Sequence, residues 1–245
     1  MRPQARRSRR PAVDQPSLCG QARLADGHTV LELEVLTPPR RHSLTCEALL
    51  FDMDGTLIDS QACIEQVWRD WGVRHGLDIG ELLRVSHGRR NDETVRIMAP
   101  HLDIANELAY LTKAGENCRD GITAVQGARR LLDRLDPERW AVVTSAWRRL
   151  AEIRLGCAGL EVPGVLVTAD DIERGKPHPD GYLHAAARLG VEPAGCVVVE
   201  DAPAGIAAAR AAGMRVIGIT TTVERERLEC EWCVDDLTAL TVEAC

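Results

Sequence analysis

Lysine is almost missing from this chain. Of 30 basic residues only Lys113 and Lys176 are lysine, a bias more in keeping with a GC-rich coding sequence than with a binding role, so each lysine is conspicuous. Nowhere do about 18 apolar residues run together, which excludes a transmembrane helix on length. No secretory signal precedes the nine cysteines, which are odd in number and scattered. A disulfide framework is therefore not expected, and a reducing cytoplasm is the default location. Cys230-x-x-Cys233 is the one close pair, and without a second pair it is weak evidence for zinc or redox chemistry. A net charge of -7 speaks against nucleic acid as a partner.

What is present suits a globular enzyme-sized body. A chain of 245 residues with 45% hydrophobic content can build one large domain, or a core with a smaller insert. Residues 1–45 differ from the rest. They carry eight arginines against four acids, including Arg6-Arg7-Ser8-Arg9-Arg10, with several prolines and little apolar periodicity outside Val30 to Leu36. That composition predicts a disordered leader over 1–45. The remaining body is acidic, at about -11 by difference.

The body is organised around Leu49-Leu50-Phe51-Asp52-Met53-Asp54-Gly55-Thr56. An apolar run heads into two aspartates, and a glycine then permits a sharp turn. This reads as a buried strand with carboxylates at its C-terminal tip, the place where open parallel sheets bind ligands. Desolvating two like charges gains nothing for a sheet unless a cation or substrate lies between them.

Beyond Asp59 the pattern turns helical. Ile64, Val67, Trp68 and Trp71 recur at three- and four-residue spacing, with further helices expected over 79–85, through Val95 and Met98, and over about 103–118. Ser86-His87-Gly88-Arg89-Arg90-Asn91 is a polar turn between them. A helical stretch over 62–121 with no strand in it predicts an inserted all-helical cap, leaving 46–61 and 122–245 as the core. From Gly127 strands and helices alternate, with strands expected over 140–144, 165–168, 196–200 and 215–219. The fold class is α/β, a doubly wound, mostly parallel Rossmann-like sheet.

Three more strand tips end in polar residues. Thr144-Ser145 offers hydroxyls and amides for phosphoryl oxygens. Lys176, between Gly175 and Pro177, has restricted backbone freedom and a point charge suited to a phosphate or to clustered aspartates. Glu200-Asp201 brings the local acid count to four with Asp52 and Asp54. Such a cluster calls for a hard cation, and Mg2+ is the natural one.

These segments resemble, in order and spacing, the four signatures of the haloacid dehalogenase superfamily. The wording Ser86-His87-Gly88-x-Arg90, Trp140-Ala141-Val142-x-Thr144-Ser145, Gly175-Lys176-Pro177-His178-Pro179 and Glu200-Asp201-Ala202-Pro203-Ala204-Gly205 is similar to the phosphatases of glycerol phosphate, 2-deoxyglucose 6-phosphate and other sugar phosphates. The resemblance implies Asp52 as nucleophile, Asp54 as acid and base, and Thr144, Ser145 and Lys176 around the transferring group. It implies metal ligation by Asp52, the main-chain carbonyl of Asp54, Asp201 and, through water, Glu200. His87, Gly88 and Arg90 would face the substrate body. The implied substrate is a small phosphorylated metabolite, and the default assembly is a monomer. A sugar-phosphate mutase of the β-phosphoglucomutase type would share the aspartate pair, but such members carry a histidine near the position of Ile64. A catalytically silent phosphate-binding module would lack one of the acids.

Overall fold

The computed structural model describes residues 22–23 and 29–242. Leu31, Leu33 and Val35 occupy alternate positions with Glu32 and Glu34 between them, the period of a strand with one buried face. They lie in β2 (Thr29–Thr37), which pairs antiparallel with β1 (Ala22–Arg23) and with β3 (Arg40–Cys46). All three side chains are buried in the core beside Leu237, Leu240 and Val242. The expectation of a structureless leader up to residue 45 is thus corrected for 29–45. The part of that expectation on residues 1–21 and 24–28 lies outside the described residues.

Next comes β4 (Ala48–Phe51), buried along its whole length because both of its faces are covered. A short β5 (Ile58–Asp59) leads into four helices, α1 (Gln61–His75), α2 (Ile79–Ser86), α3 (Asn91–Met98) and α4 (Ile104–Asn117). Asp78 caps α2 by accepting from the Glu81 amide at 2.8 Å, and Asp103 caps α4 through the Ala105 amide at 3.0 Å. The helices bury Trp68, Trp71, Leu82, Val95 and Leu111 in an apolar cluster of their own. Within it Trp71 Nε1 donates to Glu107 at 2.7 Å, and the His75 ring lies 3.0 Å from the same carboxylate oxygen. The chain returns through β6 (Thr123–Ala124), antiparallel to β5, so the outgoing and incoming linkers are tied side by side. Cys63 in the first turn of α1 and Cys118 at the end of α4 are joined by a disulfide with Cα atoms 5.8 Å apart. That corrects the expectation of unpaired cysteines, which rested on spacing. These two are 55 residues apart in sequence and meet only through the fold.

The remainder runs α5 (Ala128–Leu132), β7 (Trp140–Val143), α6 (Arg148–Cys157), β8 (Leu166–Val167), α7 (Asp180–Leu189), β9 (Cys196–Glu200), α8 (Pro203–Ala211), β10 (Arg215–Ile219), α9 (Arg225–Leu228), β11 (Trp232–Val234) and β12 (Leu240–Val242). Six strands form one sheet in the order β11-β10-β9-β4-β7-β8, every pair parallel. Edge strand β11, three residues long, was not expected; it is too short to show a period. β12 instead joins β2 antiparallel and closes the second sheet. With β4 flanked by β9 and β7, the C-terminal tips carrying Asp52, Thr144 and Glu200 emerge next to one another.

Candidate active site

The tip of β4 is fixed by its neighbours. The Asp52 amide donates to the Val199 carbonyl at 3.0 Å, extending the ladder by one rung, and Gly55 then turns with φ 89°. A side chain at Gly55 would place Cβ 2.1 Å from Asp201 Oδ2, so glycine is required both by backbone conformation and by space. Asp52, Glu200 and Asp201 are all buried, and one carboxylate oxygen of each lies within 4.8 Å of the others.

Lys176 is the cation already present. Its Nζ donates to Asp52 Oδ1 and to Glu200 Oε1, and it is itself buried. Glu200 is further held by the Tyr182 hydroxyl and the Ala202 amide, both at 3.0 Å. Asp201 accepts from Thr56 at 3.3 Å and from Thr222. Burial raises the Asp52 carboxyl well above its ordinary value despite Lys176. Asp201 is pushed up to about 7, first by burial and then by the charge of Glu200. Burial works against the Lys176 ammonium, but Asp52 and Glu200 outweigh it and hold its pKa well above the lysine range. Three buried carboxylates against one ammonium leave excess negative charge, and their donor set is all oxygen. Such a set fits a small hard divalent cation.

Asp54 points elsewhere. Its Oδ1 accepts from Ser60 at 2.5 Å and its Oδ2 from Arg154 at 2.8 Å. Its side chain is therefore outside the carboxylate cluster; any metal contact from this residue falls to its backbone. Both aspartates line a cavity of about 110 Å3 between the sheet edge and the four helices. Gln61, Glu65, His87 and Asn91 supply polar groups to its wall, and Ile64, Trp68 and Leu150 an apolar side. Burial lowers the His87 pKa, so its ring is neutral at neutral pH.

Of the residues singled out in the sequence, Asp52, Lys176, Glu200 and Asp201 meet in one cluster, with Asp54 and Thr144 beside it in the cavity wall. Thr144 Oγ1 accepts from the Ala146 amide at 3.1 Å. Ser145 reaches across to the helices, its hydroxyl donating to the Gly88 carbonyl at 3.0 Å. Gly88 has φ 70°, and a Cβ there would lie 2.9 Å from that of Ala202. Arg90 is placed differently from expectation. It is turned from the cavity onto the loop before Lys176, donating to the Glu173 carbonyl at 3.0 Å and pairing with Asp92 at 3.2 Å. Arg154 was missed. An arginine on an arginine-rich helix carries no signal of its own in sequence, yet Arg154 is only 6% exposed and sits in the cavity wall.

With this geometry in place, the match to a family model decides the family: residues 46–213 fit the haloacid dehalogenase-like hydrolases. The chain belongs to that family. It is 42% identical over 205 residues to hexitol phosphatase A of Escherichia coli K12, covering 81% of this chain and 95% of that protein. Glycerol-1-phosphate phosphohydrolase 2 of Saccharomyces cerevisiae is 39% identical over 206 residues, 78% of this chain and 81% of that protein. Among solved structures, a hydrolase from Pseudomonas syringae superposes with a TM-score of 0.72 at 26% identity, covering 78% of this chain and 94% of that one. No described helix is long and apolar enough to cross a membrane.

Proposed function

We propose that the chain is a Mg2+-dependent phosphatase of small sugar or polyol monophosphates, working through an aspartyl-phosphate. The observation that carries this reading is the buried cluster of Asp52, Glu200, Asp201 and Lys176, with Asp54 a turn away in the wall of the same cavity. Relatives that span most of the chain and are named for hexitol and glycerol phosphates support the substrate class. So does the mixed lining, whose Glu65, Gln61 and Asn91 suit hydroxyl groups. The cytoplasm is the proposed location, with no nucleic acid or membrane partner.

An Asp52 oxygen attacks phosphorus in line as the bond to the sugar oxygen breaks, and Asp54 delivers a proton to that oxygen. Water then attacks the aspartyl-phosphate, giving its proton to Asp54 and releasing phosphate and free Asp52. Lys176, Thr144 and the amide of Ser145 surround the transferring group, whose charge is the main feature to stabilise. Asp52, Asp201 and Glu200, with the Asp54 carbonyl, would hold Mg2+, which supplies neutralising charge to phosphoryl oxygens. A mutase reading is weaker, because Ile64 occupies the cavity wall where that reading requires a histidine.

The test is phosphate release from a panel of hexitol, glycerol, hexose and nucleotide monophosphates, with and without Mg2+, for wild type and Asp52→Asn. Metal-dependent release from the polyol and sugar phosphates, absent in the variant, is expected. Isomerised phosphate without net release would replace the phosphatase by a mutase, and no turnover of any substrate would leave a binding module.

A further inference from the structure

Arg154 lies on α6, a core helix, with its guanidinium buried against the cavity. Its Nη1 donates to Asp54 Oδ2 at 2.8 Å, while its Nε is buried without an acceptor. Leaving one buried donor unmet costs free energy, so the side chain is not placed there for its own hydrogen bonding. The neighbouring Arg148 and Arg149 have side chains 40% and 77% exposed and pair with Asp171 and Glu116. Arg154 alone of the three is buried.

The Asp54 backbone bridges to Ile58, but its carboxylate depends on other contacts. It follows the strand tip on a turn, outside the carboxylate cluster that fixes Asp52, Glu200 and Asp201. Its two oxygens have two side-chain partners, Ser60 on the linker into α1 and Arg154 on the core. Ser60 occupies the N-cap position of α1 at the start of the four helices, so its bond refers Asp54 to them. The Arg154 contact is the one that refers the carboxylate to the parallel sheet, where phosphoryl transfer takes place.

We propose that Arg154 is a positioning residue for Asp54: its guanidinium aims the carboxyl group so that it reaches the leaving-group oxygen. This rests on the reading of Asp54 as the proton donor. Arg154 takes and gives no proton. In the step concerned the phosphorus–oxygen ester bond breaks, the Asp52–phosphorus bond forms, and the departing oxygen receives the Asp54 proton. A displaced Asp54 slows that step most when the departing oxygen is most basic. General acid assistance contributes roughly 10²–10⁴-fold, and a misaimed donor forfeits part of it.

The experiment measures kcat/KM, which reports the first half-reaction, over a series of substituted phenyl phosphates of nearly equal size, from 4-nitrophenyl to phenyl phosphate. Equal size removes differences in contact with the cavity wall, so the gradient against leaving-group basicity reads proton donation alone. Wild type, Arg154→Met, Arg154→Gln, Arg154→Lys and Asp54→Asn are compared with Mg2+ present. Arg154→Met should lose about tenfold more on phenyl than on 4-nitrophenyl phosphate, a fraction of the general-acid contribution. Asp54→Asn should show a steeper gradient still, and Arg154→Lys should recover most of the wild-type gradient. Arg154→Gln keeps a donor and most of the volume, and reads the same gradient if the methionine variant does not fold. Parallel losses across the series in the Met and Gln variants, with Asp54→Asn steep, would overturn the role of Arg154. A flat gradient in Asp54→Asn would overturn the assignment of Asp54 itself, and this proposal with it.

Discussion

The Ser145 hydroxyl, at the tip of a core strand, donates to the carbonyl oxygen of Gly88 in the turn between α2 and α3, at 3.0 Å. Arg90, two residues further along that turn, donates to the carbonyls of Ile172 and Glu173 at 3.4 and 3.0 Å. The approach is close enough that a Cβ on Gly175 would lie 2.5 Å from Arg90 Cδ. The α2–α3 turn therefore grips both the Thr144–Ser145 tip and the loop that carries Lys176.

Arg90 acts on every substrate alike if that grip is its role. Arg90→Met removes a charged donor from two carbonyls, an interaction worth about 1.5–3 kcal/mol. Catalytic efficiency should fall roughly tenfold or more by that energy, equally on a hexitol phosphate and on phenyl phosphate. Steady-state kinetics on the two substrates decides it; a loss confined to the hexitol phosphate would return Arg90 to the substrate body.

His87 should behave in the opposite way. It lines the cavity, and burial keeps its ring neutral, able to donate to or accept from a substrate hydroxyl. His87→Ala is expected to lower kcat/KM for polyol phosphates about tenfold, the worth of roughly one hydrogen bond, with little change for phenyl phosphate. Equal losses on both would remove it from substrate selection.

The carboxylate cluster makes a prediction in pH. The folded-state pKa of Asp201 is raised to about 7 by burial and by Glu200, whereas an unfolded aspartate titrates near about 4. In that interval the folded, metal-free protein holds a proton that the unfolded chain has released. Stability from this group is full below about pH 4 and is lost as pH rises toward about 7. A divalent cation must displace the same proton, so its affinity rises over that window. Melting temperatures from pH 5 to 8 should show a Mg2+-induced increase that grows with pH and is smaller in Asp201→Asn. At a concentration 100 times Kd the gain is about 2.7 kcal/mol. A pH-independent increase would place the cation elsewhere.

Much of this was legible because apolar runs ending in acids or hydroxyls are distinctive. The strands bearing Asp52, Thr144 and Glu200 were each readable from their own few residues, and parallel pairing brings such tips together without further information. What could not be read depends on where side chains point after folding. Arg154 is the same residue type as the half-buried Arg148 and the exposed Arg149, and only the seating of α6 on the sheet turns it toward Asp54. Arg90 and His87 lie three residues apart, yet the turn sends one into the cavity and the other onto the Lys176 loop. The hairpin had a local signal in Leu31, Leu33 and Val35, overshadowed by the arginine and proline content around it. Its stability comes from partners about 200 residues away, since β12 supplies its second neighbour.

Gly205 tests how tightly Glu200 is held. The helix α8 begins at Pro203 immediately under the Glu200 side chain, and a Cβ on Gly205 would sit 1.5 Å from Glu200 Oε1 and 2.0 Å from its carboxyl carbon. Alanine therefore cannot be accommodated unless Glu200 leaves its place, and Lys176, Tyr182 and the Ala202 amide all bind that carboxylate. Gly205→Ala should cost about 1–3 kcal/mol of stability as an overpacked core site does, and turnover should fall far more than that loss of folded protein explains. Gly76→Ala is the matching control. Gly76, unlike the helical Gly205, has a positive φ, 65°, and nothing lies within 4 Å of its would-be Cβ. Its cost is conformational, about 1–2 kcal/mol, with turnover per folded molecule unchanged. Melting curves and kcat measured side by side separate the two. Should Gly205→Ala keep wild-type kcat, the Glu200 carboxylate is free to move without consequence, and its bonds to Lys176 and Tyr182 are not needed for the reaction.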